Sequence, residues 1–206
     1  NAISSCPIFV DYNCSDISIT NNYIYVNYSF VNGTYLYGID FSSFNWVNYT
    51  ACNFNNINIT DNTIWMYGNS YVCGIYGSDF INSNILRNTI YAYSDTGSAS
   101  AGNNAVYGIA LCDDSTWFTT LPRPRNNNIL NNTVTVIGQS VYGIEDFGID
   151  QNVSNNTIKV VATPTGSAYG IALAILDNAT INDNIIYITV GDLTENITTD
   201  MIHGTN

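Results

Sequence analysis

Two carboxylate pairs, Asp113-Asp114 and Glu145-Asp146, one histidine, His203, and five cysteines hold most of the reactive chemistry in this chain. Paired carboxylates equip a protein for general acid–base hydrolysis. Adjacent acidic residues at the start of a loop are equally the ordinary content of a solvated turn. Cys6, Cys14, Cys52, Cys73 and Cys112 lie in no CxxC or His-spaced pattern, so no metal site is expected. They read instead as candidates for disulfides or an intersubunit bridge, and their odd number leaves one unpaired within a monomer. The pairing stays open. Ten N-x-[ST] sequons, at Asn13, Asn27, Asn32, Asn48, Asn58, Asn131, Asn152, Asn155, Asn178 and Asn196, are glycosylation candidates.

The surrounding composition narrows the chemistry. Only four residues are basic (Arg87, Arg123, Arg125 and Lys159) against 16 acidic ones, giving a net charge of −12. Such a chain cannot neutralise a phosphate backbone or an anionic bilayer, which excludes nucleic acid and acidic membrane surfaces as partners. No apolar run approaches the roughly 20 residues that span a membrane. The start at Asn1, without Met, reads as a mature secreted chain whose signal segment has been removed. No cofactor is implied.

The elements that must position these residues come from a repeat. The form I-x-x-N-x-I recurs at Ile19/Asn22/Ile24, Ile59/Asn62/Ile64, Ile85/Asn88/Ile90, Ile129/Asn132/Val134, Val153/Asn156/Ile158 and Ile181/Asn184/Ile186. Tyr37-Gly38-Ile39, Cys73-Gly74-Ile75, Tyr107-Gly108-Ile109, Tyr142-Gly143-Ile144 and Tyr169-Gly170-Ile171 alternate with it, and Ile202-His203-Gly204 is a degenerate last copy. Self-similarity at intervals of roughly 35 residues marks a solenoid. Ile, Val, Thr, Tyr and Phe dominate, apolar residues alternate with period two, and helix formers such as Glu, Gln and Lys are scarce. In each I-x-x-N-x-I two short strands meet at a bend. Asn tolerates the left-handed backbone of that bend, and stacked coils let it bond its counterparts as a ladder of Asn22, Asn62, Asn88, Asn132, Asn156 and Asn184. The expected fold is all-β: a right-handed parallel β-helix of about six rungs over residues 17–206, after an N-terminal segment at 1–16.

The order Y-G-I-x-L, I-x-x-N, N-T-I resembles the β-helix repeat of nitrous-oxide-reductase maturation proteins and pectate-lyase-like domains, a repeat also found in large archaeal surface proteins. The resemblance covers about residues 17–205 and implies fold rather than activity. Coils in that family are shorter, which implies that the excess here sits in loops, chiefly 95–104 and 115–128.

Strand alternation then sorts the faces. It predicts Tyr25, Trp65, Tyr67, Tyr91, Tyr93 and Tyr187 to point outward, as plain β-surface tyrosines or as a contact face for a subunit or sugar rings. It places the repeated Gly outward between an inward Tyr and an inward Ile, where bare backbone admits another sheet or simply permits a bend. Cys73 takes the inward Tyr position, as a buried thiol, and its offset from Cys112 puts the two roughly 16 Å apart, too far to bond. The two acid pairs differ in coil and strand position, and the basic residues show no convergence. Lyase chemistry on this fold needs clustered Asp for Ca²⁺ and a base, and catalysis is not expected.

Both ends of such a solenoid expose a sheet edge, and no amphipathic helix or lysine protects either one. The expected function is a self-assembling extracellular protein of a cell envelope, stacking with copies of itself in a cross-β lattice and locked by disulfides. The sheath proteins of filamentous methanogenic archaea are the closest analogue by resemblance. The alternative is an adhesin or glycan-binding module using the aromatic face, and less favoured is a polysaccharide lyase or hydrolase.

Overall fold

The computed structural model describes residues 3–11, 14–28, 34–42, 53–94, 105–112, 124–173 and 178–191. Three stacks of parallel strands make up its faces. The I-x-x-N stretches supply β4 (Ser18–Thr20), β8 (Asn58–Thr60), β12 (Asn84–Leu86), β15 (Asn128–Leu130), β17 (Asn152–Ser154) and β19 (Thr180–Asn182), a 6-stranded sheet. After the bend come β5 (Tyr23–Asn27), β9 (Thr63–Gly68), β13 (Thr89–Ser94), the first halves of β16 (Thr133–Asp146) and β18 (Thr157–Leu173), and β20 (Ile185–Val190). The Tyr-Gly-Ile stretches form β6 (Thr34–Phe41), β10 (Tyr71–Ser78), β14 (Ala105–Cys112) and the second halves of β16 and β18. β1 (Ile3–Ser5) and β2 (Ile8–Val10) begin that third stack by pairing with β6.

The second and third stacks are one 11-stranded sheet, because β16 and β18 run unbroken through the corner, with a bulge between Gly138 and Ser140. A short fourth face holds β3 (Cys14–Ser15), β7 (Phe54–Asn55) and β11 (Phe80–Ile81), continued by bridges at Arg125 and Ile149. The described residues thus form six coils of a parallel β-helix, whose crossovers are right-handed as twisted strands of L-residues require. Within the N-terminal segment expected at 1–16, β1 and β2 pair with β6 and β3 pairs with β7.

Register follows the repeat residue by residue. Ile19, Ile59, Ile85, Ile129, Val153 and Ile181 lie in one column, and Ile24, Ile64, Ile90, Val134, Ile158 and Ile186 in another. In the middle coils these side chains are fully buried, each worth about 2–3 kcal/mol of apolar burial. Phe41, Phe54 and Phe80 close the corner beside the short face edge-on, at centroid separations of 5.1, 5.3 and 6.1 Å.

Two local expectations change. The left-handed residue of the bend is the one before the ladder Asn: Asn21, Asp61, Arg87, Asn131, Asn155 and Asp183 have φ of 53–58°. A second left-handed bend, invisible in the motif, leads into the I-x-x-N strand at Asp16, Asn56, Asn82, Asn126, Asp150 and Asn178. The glycine and tyrosine of Tyr-Gly-Ile also exchange faces. A β-carbon on Gly38, Gly74, Gly108, Gly143 or Gly170 would point into the core, colliding with Ile64, Ile90, Val134, Ile158 or Ile186 respectively. The tyrosines lie on the outer face, where Tyr107, Tyr142 and Tyr169 stack at 4.8 and 4.9 Å. The cause is a break in alternation at the glycine, since both Val72 and Gly74 and then Ile75 are buried in succession with Cys73 between them. Among the described residues no outward row of bare glycine backbone exists on this face.

Candidate assembly surfaces

The polar spine of the molecule is built by the six ladder asparagines. At each of the five junctions the Nδ2 of one Asn donates to the Oδ1 of the next, from Asn22→Asn62 at 3.0 Å to Asn156→Asn184 at 2.9 Å. The backbone N–H of the lower Asn donates to the same oxygen at 2.9–3.0 Å. The second Nδ2 hydrogen reaches back to the carbonyl of the preceding coil, as Asn62 to Ile19 at 2.9 Å and Asn184 to Val153 at 2.8 Å. Each buried amide is thereby satisfied, which a neutral side chain does without the desolvation cost of a charge. The ladder has a direction: donors face the C-terminal coil and oxygens the N-terminal one.

The bends carry polar contacts of their own. Asn56 donates to Asp16 at 2.7 Å, Asn126 to Asn82 at 3.1 Å and Asn178 to Asp150 at 3.1 Å. Arg87 grips Asp61 one coil below with two hydrogen bonds of 2.8 and 2.7 Å. That pair is exposed, and the arginine holds the Asp61 carboxyl below its usual range.

On the outer face of the second stack, the predicted aromatic residues do form columns. Trp65 and Tyr91 stack at 4.0 Å and 16°, and Tyr67 and Tyr93 at 4.9 Å and 25°. Tyr25 and Tyr187, at opposite ends of the first column, are 60% and 57% exposed. A groove of about 380 Å³ runs between the columns, bordered by Tyr25, Trp65, Tyr67, Tyr91, Tyr93 and Ile137. Because Trp65 and Tyr91, like Tyr67 and Tyr93, turn faces toward each other, the groove presents mainly ring edges, whereas a sugar stacks on a free face.

The reactive residues are dispersed. Glu145 is half-buried on the outer face, with its pKa pushed up to about 7 by burial. Asp146 next to it points into the core, is fully buried and is also raised to about 7, with only the Gly148 N–H at 2.8 Å on Oδ1. Consecutive residues on opposite faces cannot act as a catalytic pair. Asp113, Asp114 and His203 lie outside the described residues, as does Cys52.

Cys6, Cys14 and Cys73 are free thiols and no disulfide forms among the described residues, so the expected disulfide lock is absent there. Cys73 is buried beneath outward tyrosines and directs its thiol to the Ile75 carbonyl at 3.3 Å; burial holds its pKa far above the ordinary value. Cys6 donates to the Ile8 carbonyl at 3.0 Å, and burial pushes it up to about 12. Cys14 and Cys112 are half-buried on different faces. Among the sequons, Asn27, Asn131, Asn155 and Asn178 are exposed, while Asn58 and Asn152 are half-buried within the amide column that also holds Asn84 and Asn128. Asn13, Asn32, Asn48 and Asn196 lie outside the described residues.

The two ends of the solenoid differ. In the last coil the inward positions Ile181, Ile186 and Ile188 are 48%, 42% and 54% exposed. In the first coil Ile19 and Ile24 are only 8% and 5% exposed, although among the described residues β4 and β5 pair on one side only, with β8 and β9. Among the described residues the C-terminal end is thus an open apolar mouth, rimmed by strands β19 and β20 that pair on one side only. Searches of family models, curated proteins and solved structures find no match to this chain.

Proposed function

We propose that this protein is a self-associating structural subunit of an extracellular envelope rather than an enzyme. One observation carries the reading: the inward isoleucines of the last coil stand open to solvent beside a parallel edge that is unpaired among the described residues. Edges of this kind are templates for another strand, and here neither lysine nor proline blunts β19 or β20. The scarcity of charge, the sequons and the polar, uncharged spine suit a subunit packed against identical neighbours outside the cell. Sedimentation and electron microscopy of the purified chain over a range of concentrations should show growth into ordered polymers. Monodisperse monomers at every concentration overturn the proposal.

An adhesive role has one observation in its favour, the apolar groove between the aromatic columns. It predicts a monomer that binds glycans and loses binding on Trp65→Ala, a result a glycan array reads directly.

A further inference from the structure

We infer that the partner of the open C-terminal end is the N-terminal end of a second copy, joined head to tail so that the asparagine ladder runs on from Asn184 of one molecule to Asn22 of the next. This rests on the self-association proposed above and specifies its geometry.

Three observations carry it. The first is the pair of unmet groups that the ladder leaves. Among the described residues, the Asn184 backbone N–H has no acceptor and its Nδ2 is engaged only with Val153 below. At the other end Asn22 Oδ1 has no donor. The Asn22 amide, which has no coil beneath it, turns to its own Thr20 carbonyl at 3.1 Å. A molecule stacked below would supply Asn184 N–H and Nδ2–H to Asn22 Oδ1 and the Ile181 carbonyl to Asn22 Nδ2. That restores the three-bond set found at the internal junctions.

The second observation is register. Ile181, Asn184, Ile186, Tyr187 and Ile188 of the last coil correspond to Ile19, Asn22, Ile24, Tyr25 and Val26 of the first, column for column. A joint in this register seats isoleucine on isoleucine inside and places the exposed ring of Tyr187 below that of Tyr25. Most of the newly buried apolar surface comes from the C-terminal side, since Ile19 and Ile24 are already nearly covered.

The third is charge. At the two bends the joint puts Asn21 over Asp183 and Asp16 over Asn178, and the second arrangement repeats Asp150 over Asn126 within the molecule. No carboxylate is stacked on another at either bend. The ladder is vectorial, so only a head-to-tail contact continues it; such a contact is heterologous and does not close on itself as a two-fold dimer would.

The test uses end-specific variants of the whole chain. Ile188→Lys places an ammonium in the open mouth, and Val26→Lys places one at the half-buried first-coil equivalent. Each variant should sediment as a monomer with the circular dichroism of the parent, and a 1:1 mixture should give a dimer that grows no further. Asn184→Asp keeps the oxygen that Asn156 uses but sets a carboxylate against Asn22 Oδ1, and should weaken association about tenfold or more. Asn22→Ala serves as a second head-side block should Val26→Lys lose its fold. If either single variant dimerises alone, or both still polymerise, the head-to-tail joint is wrong while self-association stands. If the parent chain never associates, both readings fall.

Discussion

A buried amide that accepts two hydrogen bonds from the coil below and donates to the coils above and below leaves no room for substitution. Asn88 is such a residue, bonded to Asn62, Asn132 and Ile59. Asn88→Ala would orphan the Asn62 donors and the Ile59 carbonyl together, and leave the Asn132 oxygen with only the backbone N–H of residue 88. The expected loss is about 3–5 kcal/mol, well above a single cavity of that size, and chemical denaturation measures it. Gly108→Ala is predicted to be comparably severe, because its β-carbon would strike Val134 and sit 2.6 Å from the Gly143 carbonyl oxygen. Asp146 brings a pH dependence. Its carboxyl titrates near 3.8 when unfolded and near 7 in the fold, so the folded state holds the proton more tightly. Its stabilising contribution is complete below pH 4 and is lost as pH rises through 7. The midpoint of thermal unfolding should therefore fall between pH 5 and pH 8, and Asp146→Asn should reduce that slope, leaving the share of Glu145, which burial also raises to about 7.

At the level of the strand, the repeat was readable wherever one side chain has one job. The ladder positions were legible because the Asn keeps its identity in all six coils, as were the inward columns from Ile24 to Ile186. The left-handed bend was not, because Asn, Asp and even Arg87 share it, the last held by Asp61 rather than by intrinsic preference. The parity of Tyr-Gly-Ile failed for a geometric reason. Period-two counting assumes a regular pleat, and the glycine in that strand interrupts it, so the count puts the glycine and the residues before it on the wrong face. Cys73 illustrates the result: its burial was foreseen, but it lies beneath tyrosine rings on the outside rather than in the isoleucine core. The groove between the aromatic columns needed pairing register, which places Trp65 beside Tyr91 and Tyr67 beside Tyr93.

For the whole molecule, coils that touch only their neighbours should be separable units. Removing residues 62–87 joins Asp61 to Asn88, so that β8 leads into β13 with ladder and bend in phase. The shortened chain is expected to keep a β circular dichroism spectrum and to unfold cooperatively at a lower temperature. Loss of the cooperative transition would show that the coils depend on more than their nearest neighbours.

The direction of the asparagine ladder has an electrical consequence. Strand dipoles in a sheet largely cancel, but each side-chain amide here turns its oxygen toward the N-terminal coil and a hydrogen toward the C-terminal one. Six amide dipoles, each of about 3.5 D, therefore add along the axis as peptide units do along an α-helix. A polymer that kept this direction would lengthen its dipole with every subunit, and its filaments would orient in an applied field with their two ends distinguishable.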